Sequence, residues 1–227
     1  MKLCVALDLP SAKENLDLVR KIKEHDVWLK VGLRAFIRDG YPFLTELKSI
    51  NPNFKIFLDL KLHDIPNTMA DAAEEIAKFG VDMFNVHASA GKVAMREVMQ
   101  RINESKKQPI VLAVTALTSF DEENFQAIYN QDITSKATQF AKDAFESGIH
   151  GVVCSAFESN AIKTHTSADF ITLCPGIRPF GEAPGDQKRV ANIIVAKSEM
   201  VDFIVVGRPI YTSTSPITVV KKILEII

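Results

Sequence analysis

The sequence predicts an α/β protein, a (β/α)8 TIM barrel that forms a single domain over residues 1–227. Eight short runs rich in Val, Ile, Leu and Phe alternate with longer stretches in which charged and apolar residues recur near helical spacing. Most of the apolar runs are nearly continuous, as expected for parallel strands covered on both faces. A doubly wound open sheet is the competing architecture. The first strand–helix junction, LDLPSAKE, lacks the glycine-rich phosphate turn of that fold.

The predicted elements follow one another at a nearly constant period, which is typical of a barrel built from strand–helix units. The predicted strands cover residues 3–9, 27–33, 54–60, 82–88, 109–117, 151–156, 169–175 and 202–207. The predicted helices cover residues 11–25, 36–49, 67–79, 91–106, 132–147, 157–166, 187–198 and 214–226. Gly80 and Gly148 follow two of these helices and suit the left-handed position that ends a helix.

Composition excludes several classes of function. The chain has 27 Lys plus Arg against 28 Asp plus Glu, so neither nucleic acid nor an anionic membrane surface is an expected partner. No apolar run approaches the roughly 20 residues that span a bilayer, and no signal peptide is expected. Three scattered cysteines in apolar runs, Cys4, Cys154 and Cys174, predict buried free thiols and a cytoplasmic protein. Their spacing fits no metal site.

The segment DLKLHDIPNT, residues 59–68, carries the sharpest chemical pattern. Asp59 and Lys61 are two residues apart, so on an extended strand they would face the same side. Lys30 lies on the neighbouring predicted strand and would flank Asp59 if it points inward. Asp64 follows where the chain turns toward Pro66. In a TIM barrel the chemistry takes place at the carboxyl ends of the strands, and these residues fall there.

Such an array alternates cations with carboxylates. At about 4 Å and an effective dielectric constant near 20, each neighbouring pair is worth about 4 kcal/mol before desolvation. The array therefore holds a protonated Lys61 beside fixed negative charge, which suits loss of an anionic group followed by protonation of a carbanion. The alternative is a set of structural ion pairs that close the barrel, and the D-x-K-x-x-D spacing alone does not separate the two.

A phosphate site is expected after the last two strands, which is its usual place in this fold. GIRP (176–179) follows the seventh predicted strand and GRPI (207–210) the eighth. Gly207 would let a phosphate approach the backbone, and Arg208 would offer a bidentate fork. The segment between them, residues 179–189, predicts a lid, with Arg178 and Gln187 as candidate contacts.

Taken in order, these motifs resemble the bacterial type of orotidine 5′-monophosphate decarboxylase. The matching pieces run along nearly the whole chain. They are ALD (6–8), LKVG around Lys30, DLKLHDIPNT, VTALTS (114–119), CPGIRP (174–179), DQKRV (186–190) and VVGRPI (205–210). The resemblance implies a cofactor-free and metal-free enzyme that converts orotidine 5′-monophosphate to UMP. His87 is not part of these motifs and is expected to be a hydrogen-bonded structural histidine.

The resemblance also implies a role for each matched residue. Lys61 would protonate carbon 6 of the pyrimidine, within a charged array that also contains Lys30, Asp59 and Asp64. The family is dimeric, so Asp64, Ile65 and Thr68 would reach the active site of the other subunit. The substrate-binding set would be Asp8 and Lys30 on the ribose hydroxyls, Asp59 beside the reacting group, Thr118 on the pyrimidine, and Gln187, Gly207, Arg208 and Arg178 on the phosphate.

Two other functions stay open. A sugar-phosphate decarboxylase or aldolase on the same barrel, of the 3-keto-gulonate-6-phosphate decarboxylase type, would share D-x-K-x-x-D but require Mg²⁺. The I-P-N-T continuation, the LTS segment and the DQKR loop argue against it. A non-catalytic nucleotide-binding barrel is the other alternative, and in that protein the ion pairs would be structural.

Overall fold

The computed structural model describes residues 1–183, 185 and 188–227. They form a closed barrel of parallel strands in sequential order, in which the last strand pairs with the first. The strands are β1 (Lys2–Ala6), β2 (Trp28–Gly32), β3 (Lys55–Leu62), β4 (Met83–His87), β5 (Ile110–Val114), β6 (Gly151–Val153), β7 (Ile171–Cys174) and β8 (Phe203–Val206). The predicted (β/α)8 TIM barrel is thereby confirmed, and closure excludes the open sheet.

The helices lie between the strands. The described residues form α1 (Ala12–Ile22), α2 (Leu33–Ile50), α3 (Pro66–Lys78), α4 (Gly91–Glu104), α5 (Glu122–Tyr129), α6 (Ile133–Glu146), α7 (Ser159–His165), α8 (Ile193–Ser198), α9 (Arg208–Tyr211) and α10 (Pro216–Ile226). Within them, every helix is too short or too polar to cross a lipid bilayer. The sequence did not predict α5 or α9, and α8 begins later than expected.

Glycines end or bend several helices. At the end of α6, Gly148 has a φ of 80°, and its N–H donates to Phe145 O at 3.0 Å. The N–H of Ile149 donates to Ala144 O at 3.1 Å, which completes a Schellman motif and satisfies two terminal carbonyls. Gly80 has a φ of 76° after α3, so both predicted C-cap glycines are confirmed.

Successive strand residues point alternately into the barrel and toward the helices, which is why the strands are apolar on both faces. On β3, for example, Phe57 belongs to the cluster inside the barrel, whereas Leu58 packs against the helical layer. The interior cluster also contains Cys4, Ala6, Met83, Leu112, Val114, Val153, Leu173, Phe203 and Val205. All three cysteines are buried, as predicted. The next inward positions, at the carboxyl ends, are polar and form the site.

Candidate active site

A cavity of about 270 Å³ opens at the carboxyl ends of the strands, directly above the apolar interior. Its floor is formed by interior side chains such as Phe57 and Val205. It brings together eight of the residues predicted from the sequence. They are Asp8, Lys30, Asp59, Lys61, Thr118, Arg178, Gly207 and Arg208.

Four of these residues form a continuous line of alternating charge along one wall. Asp8 Oδ1 lies 3.1 Å from Lys30 Nζ, and Lys30 Nζ lies 3.4 Å from Asp59 Oδ2. The other oxygen of Asp59, Oδ1, lies 2.5 Å from Lys61 Nζ. Gly32 makes room for this line, because a Cβ there would stand 3.0 Å from Lys30 Nζ. Lys30 therefore points into the barrel mouth and flanks Asp59.

The array stabilises its own charges despite burial. Desolvation opposes the charge on Asp59, but Lys30 and Lys61 outweigh it, and the pKa of that carboxyl is lowered below 3.8. Desolvation likewise opposes the ammonium of Lys30, yet Asp59 and Asp8 prevail and raise its pKa above 10.5. Both groups consequently stay charged across the neutral range.

Lys61 lies within β3, but its backbone is not extended, as the same-side argument from the sequence had assumed. Lys61 has a φ of 57°, in the left-handed region, and the register between β3 and β4 shifts between Leu58 and Leu62. Asp59 and Lys61 do meet, as expected. The reason given for it, the two-residue periodicity of an extended strand, is wrong. A local irregularity next to an active site commonly re-aims a side chain in this way.

Asn85 on β4 supports this irregular segment, and sequence reasoning missed it. The amide is fully buried, its Oδ1 accepts from the Lys61 N–H at 2.8 Å, and its Nδ2 donates to Asp59 Oδ1 at 2.8 Å. One signal could have identified it. Asn85 is the one amide side chain in the strand MFNVH, and it lies two residues from the inward-facing Met83 on the same face of that strand.

The segments that follow β7 and β8 bring two arginines to the cavity. Arg208 begins α9 directly after Gly207. Tyr211 of the same helix also lines the cavity, and no sequence motif had pointed to it. Arg178 is buried, and its Nε donates to Ala183 O of the predicted lid at 2.9 Å. Two guanidinium groups at one end of a cavity provide a strong site for a dianion such as phosphate.

The lid and the loop after β5 are joined at their bases. The backbone N–H groups of Lys188 and Arg189 both donate to Thr118 O, at 3.1 and 3.3 Å. Arg189 also forms an ion pair with the buried Glu158. Gly185 lies against Arg208 so closely that a Cβ at this position would collide with the guanidinium. The described part of the lid therefore packs over the arginine end of the cavity.

Three predicted residues do not line the cavity of their own chain. Asp64, Ile65 and Thr68 are all exposed at the start of α3. Asp64 Oδ1 accepts from the N–H of Ile65 at 2.7 Å. Gln187, a further predicted phosphate contact, lies outside the described residues.

His87 ends β4 beside the array. Its ring lies 5.4 Å from that of His63, centroid to centroid, and its Nδ1 is buried without a hydrogen-bond partner among the described residues. The prediction that His87 is hydrogen-bonded is therefore wrong for this nitrogen. Desolvation, helped by His63 and Lys61, lowers the pKa of His87 to about 4, so the ring is neutral at physiological pH.

Within the part of the chain that the structure describes, no group of three or more His, Cys, Asp and Glu side chains is arranged to hold a metal ion. The closed barrel and the polar cavity at its carboxyl end define a (β/α)8-barrel enzyme. The chain belongs to the Orotidine 5′-phosphate decarboxylase / HUMPS family, whose model matches residues 1–223.

Individual relatives are similar over nearly their whole length. The chain is 68% identical over 225 residues to the orotidine 5′-phosphate decarboxylase of Sulfurimonas denitrificans, covering 99% of each protein. It is 60% identical over 225 residues to that of Campylobacter jejuni subsp. jejuni, again covering 99% of each. The crystal structure of the Lactobacillus acidophilus orotidine 5′-phosphate decarboxylase superposes with a TM-score of 0.85 at 32% identity, covering 99% of this chain and 97% of that one.

Proposed function

We propose that this chain converts orotidine 5′-phosphate to UMP and CO₂, a step of pyrimidine biosynthesis, without a metal or organic cofactor. The observation that carries this proposal is the position of Lys61 Nζ, 2.5 Å from Asp59 Oδ1 within a charged line, in a cavity whose other end carries two arginines. A protonated amine held beside carboxylates suits protonation of a carbanion, and the arginines suit a phosphate. The full-length relatives named for this reaction support it.

In the proposed complex the nucleotide spans the cavity. Its phosphate lies against Arg208 and the backbone of Gly207, with Arg178 and Gln187 closing from the lid. Its ribose hydroxyls face Asp8 and Lys30, and its pyrimidine lies near Thr118. This arrangement places carbon 6 toward Asp59 and Lys61. Phosphate binding far from the reacting carbon would then supply binding energy for lid closure and orientation.

The proposed reaction needs a single proton donor. The bond between carbon 6 and the carboxylate breaks, CO₂ leaves, and the electron pair stays on carbon 6. The ammonium of Lys61 stabilises this carbanion and transfers a proton to it, and Lys61 later regains a proton from water. Asp59 adds negative charge near the substrate carboxylate, which favours its departure. The unaided reaction has no electron sink, so the enzyme must lower the barrier by on the order of 20 kcal/mol.

The proposed enzyme is a homodimer with shared active sites. Large apolar side chains are exposed at the starts of three consecutive helices: Leu33 and Ile37 on α2, Ile65 before α3, and Val93 on α4. Ile37, Ile65 and Val93 are 75%, 66% and 65% exposed, which is costly for a monomer in water. A second copy covering this sector of the barrel mouth would bury them and bring Asp64, Ile65 and Thr68 toward the partner's cavity.

Two further expectations belong to the proposal. Pairing of β8 with β1 supports one barrel domain over residues 1–227, because no strand is left to begin another sheet in the described part of the chain. The proposed location is the cytoplasm, in keeping with three buried free thiols. No nucleic acid or membrane is proposed as a partner.

The test is an ultraviolet assay in which purified protein and orotidine 5′-phosphate are mixed in the presence of EDTA. Steady loss of orotate absorbance is the expected result. Turnover of a sugar phosphate only after Mg²⁺ is restored would instead assign the chain to the metal-dependent branch of the family. Binding of UMP without turnover of either substrate would indicate a non-catalytic nucleotide-binding barrel.

A further inference from the structure

Asn85 occupies a position that the proposed chemistry has not yet used. It lies on β4, faces the barrel interior and is completely buried. Its side chain touches the two groups at the centre of the proposed reaction, the backbone of Lys61 and the carboxylate of Asp59. A buried amide is retained only where its hydrogen bonds offset the cost of desolvation.

The chemistry of its neighbours fixes the orientation of the amide. The N–H of Lys61 can only donate, so it must face Oδ1, and the carboxylate of Asp59 can only accept, so it must face Nδ2. Both bonds are 2.8 Å long, within the usual range. An ionised aspartate, a leucine or an alanine at this position would fail one partner or both.

The amide also replaces a missing strand contact. Where the register between β3 and β4 shifts, the backbone of Lys61 turns to a φ of 57°, a left-handed conformation that is unfavourable for a residue with a Cβ. Its N–H then bonds to the side chain of Asn85. Asp59 Oδ1 in turn accepts from both Asn85 and Lys61 Nζ, so backbone, carboxylate and ammonium form one closed network.

We propose that Asn85 is a positioning residue that holds Lys61 in its left-handed conformation and directs Asp59 Oδ1 toward the ammonium of Lys61. This inference rests on the proposed decarboxylation. Asn85 is absent from the lining of the cavity and therefore acts through Lys61 and Asp59 without touching the nucleotide. Its removal should slow the chemical step and leave substrate affinity nearly unchanged.

The first test compares Asn85→Ala with Thr172→Val. Thr172 is also fully buried, and its Oγ1 bonds to Asp202 and Ser159 at the opposite end of the barrel. The expected result is a kcat lower by on the order of 100-fold for Asn85→Ala, with KM within about threefold. Thr172→Val should leave kcat near the wild-type value. Equal kcat values in the two variants would show that Asn85 is merely a structural residue.

A second measurement does not depend on activity. Amide hydrogen exchange at Lys61, followed by NMR and normalised to Leu58 on the same strand, should accelerate by at least about tenfold in Asn85→Ala. Thr172→Val should lose buried hydrogen bonds but not this one, so it should leave the ratio unchanged. An unchanged ratio in Asn85→Ala would overturn the inference. Inactive wild-type protein would instead count against the proposed function, while the exchange result would still decide the role of Asn85.

The nearly isosteric variant Asn85→Asp provides a pH signature. When protonated, the introduced carboxyl can accept from the Lys61 N–H and donate to Asp59, as the amide does. When ionised, it can only accept, and it repels Asp59. The kcat of this variant relative to wild type should therefore fall as the pH rises from about 5 to about 9. A ratio that stays flat would contradict a requirement for the donated hydrogen bond.

Discussion

Lys61 Nζ lies 2.5 Å from Asp59 Oδ1, although the backbone between the two residues leaves the extended conformation and Lys61 adopts a φ of 57°. A regular strand would also place residues two apart on one face, but it would direct both side chains straight into the barrel. In the observed geometry the ammonium bonds to the carboxylate of its own strand, which itself pairs with Lys30. The ammonium of Lys61 is thus held by the carboxylate of Asp59 on one side and faces the cavity on the other.

Replacement of Lys61 by alanine should abolish turnover while leaving nucleotide binding largely intact. General acid catalysis and electrostatic stabilisation would both be lost, so kcat should fall by at least about 10⁴-fold. The affinity for UMP, measured by calorimetry, should change far less, because the phosphate and ribose contacts remain. Lys55→Ala is the matched control, since Lys55 lies at the far end of β3 and pairs with Asp82. Substantial activity in Lys61→Ala would rule out Lys61 as the proton donor.

Replacement of Arg208 by alanine should remove recognition of the phosphate and little else. A charge-assisted hydrogen bond contributes about 1.5–3 kcal/mol, so the affinity for UMP should fall on the order of 100-fold. The affinity for uridine, which lacks the phosphate, should change by less than about threefold. Arg20→Ala serves as the control, because Arg20 is exposed on α1 and pairs with Asp17. An equal loss for UMP and uridine would mean that Arg208 supports the cavity without contacting phosphate.

The fold and most of the charged wall could be predicted because both follow from strand periodicity. Asp8 and Asp59 lie two residues beyond the interior side chains Ala6 and Phe57, so the same alternation that builds the core directs them into the mouth. Lys30 follows the same rule on β2. A chain-long pattern of apolar runs then suffices to place these residues at one end of the barrel.

The other features of the fold and the site depend on contacts between residues that are distant in the sequence, or on weak local signals. The left-handed conformation of Lys61 is stabilised by Asn85, 24 positions away along the chain, so no pattern within DLKLHDIPNT could indicate it. Helix α5 was missed because it is short and buries only Phe125, although Asp121 caps it by accepting from the Asn124 N–H. The role proposed for Asp64 requires a second chain, so it cannot be derived from the fold of a single chain.

Protonation of His87 should destabilise the protein in mild acid. Its pKa is lowered from 6.5 to about 4 in the folded state, so the unfolded chain binds the proton first as the pH falls. Folding stability from this group is therefore complete above pH 6.5 and is lost progressively toward pH 4. Between about pH 7 and pH 4.5 the loss should be about 2 kcal/mol.

Urea unfolding at these two pH values measures that loss. The variant His87→Gln should lose about 2 kcal/mol less stability than wild type between them, because glutamine does not titrate. His165→Gln is the control, since His165 is exposed at the end of α7 and should behave as wild type. Identical pH dependence in His87→Gln and wild type would show that the ring is not held neutral by its surroundings.

Subunit complementation should reveal whether each active site is shared. If Asp64 of one chain completes the cavity that contains Lys61 of the other, then Lys61→Ala and Asp64→Asn homodimers should each be nearly inactive. A dimer containing one chain of each kind would have one site with both native residues and one site with neither. This outcome follows from the twofold symmetry of a homodimer, in which the same surface is used by both copies.

The two variants are mixed in equal amounts and exposed briefly to denaturant, so that subunits exchange. Half of the dimers should then be mixed, and each mixed dimer has one native site out of two. The mixture should therefore recover about one quarter of wild-type activity. Ile37→Asp, placed on the exposed apolar sector and outside the cavity, should weaken the dimer in sedimentation and lower activity in parallel at low protein concentration. Lys55→Ala mixed with Lys61→Ala gives the control, because that mixture contains chains active on their own. Absence of recovery in the first mixture, with exchange verified by a tagged chain, would place Asp64 outside the partner's site.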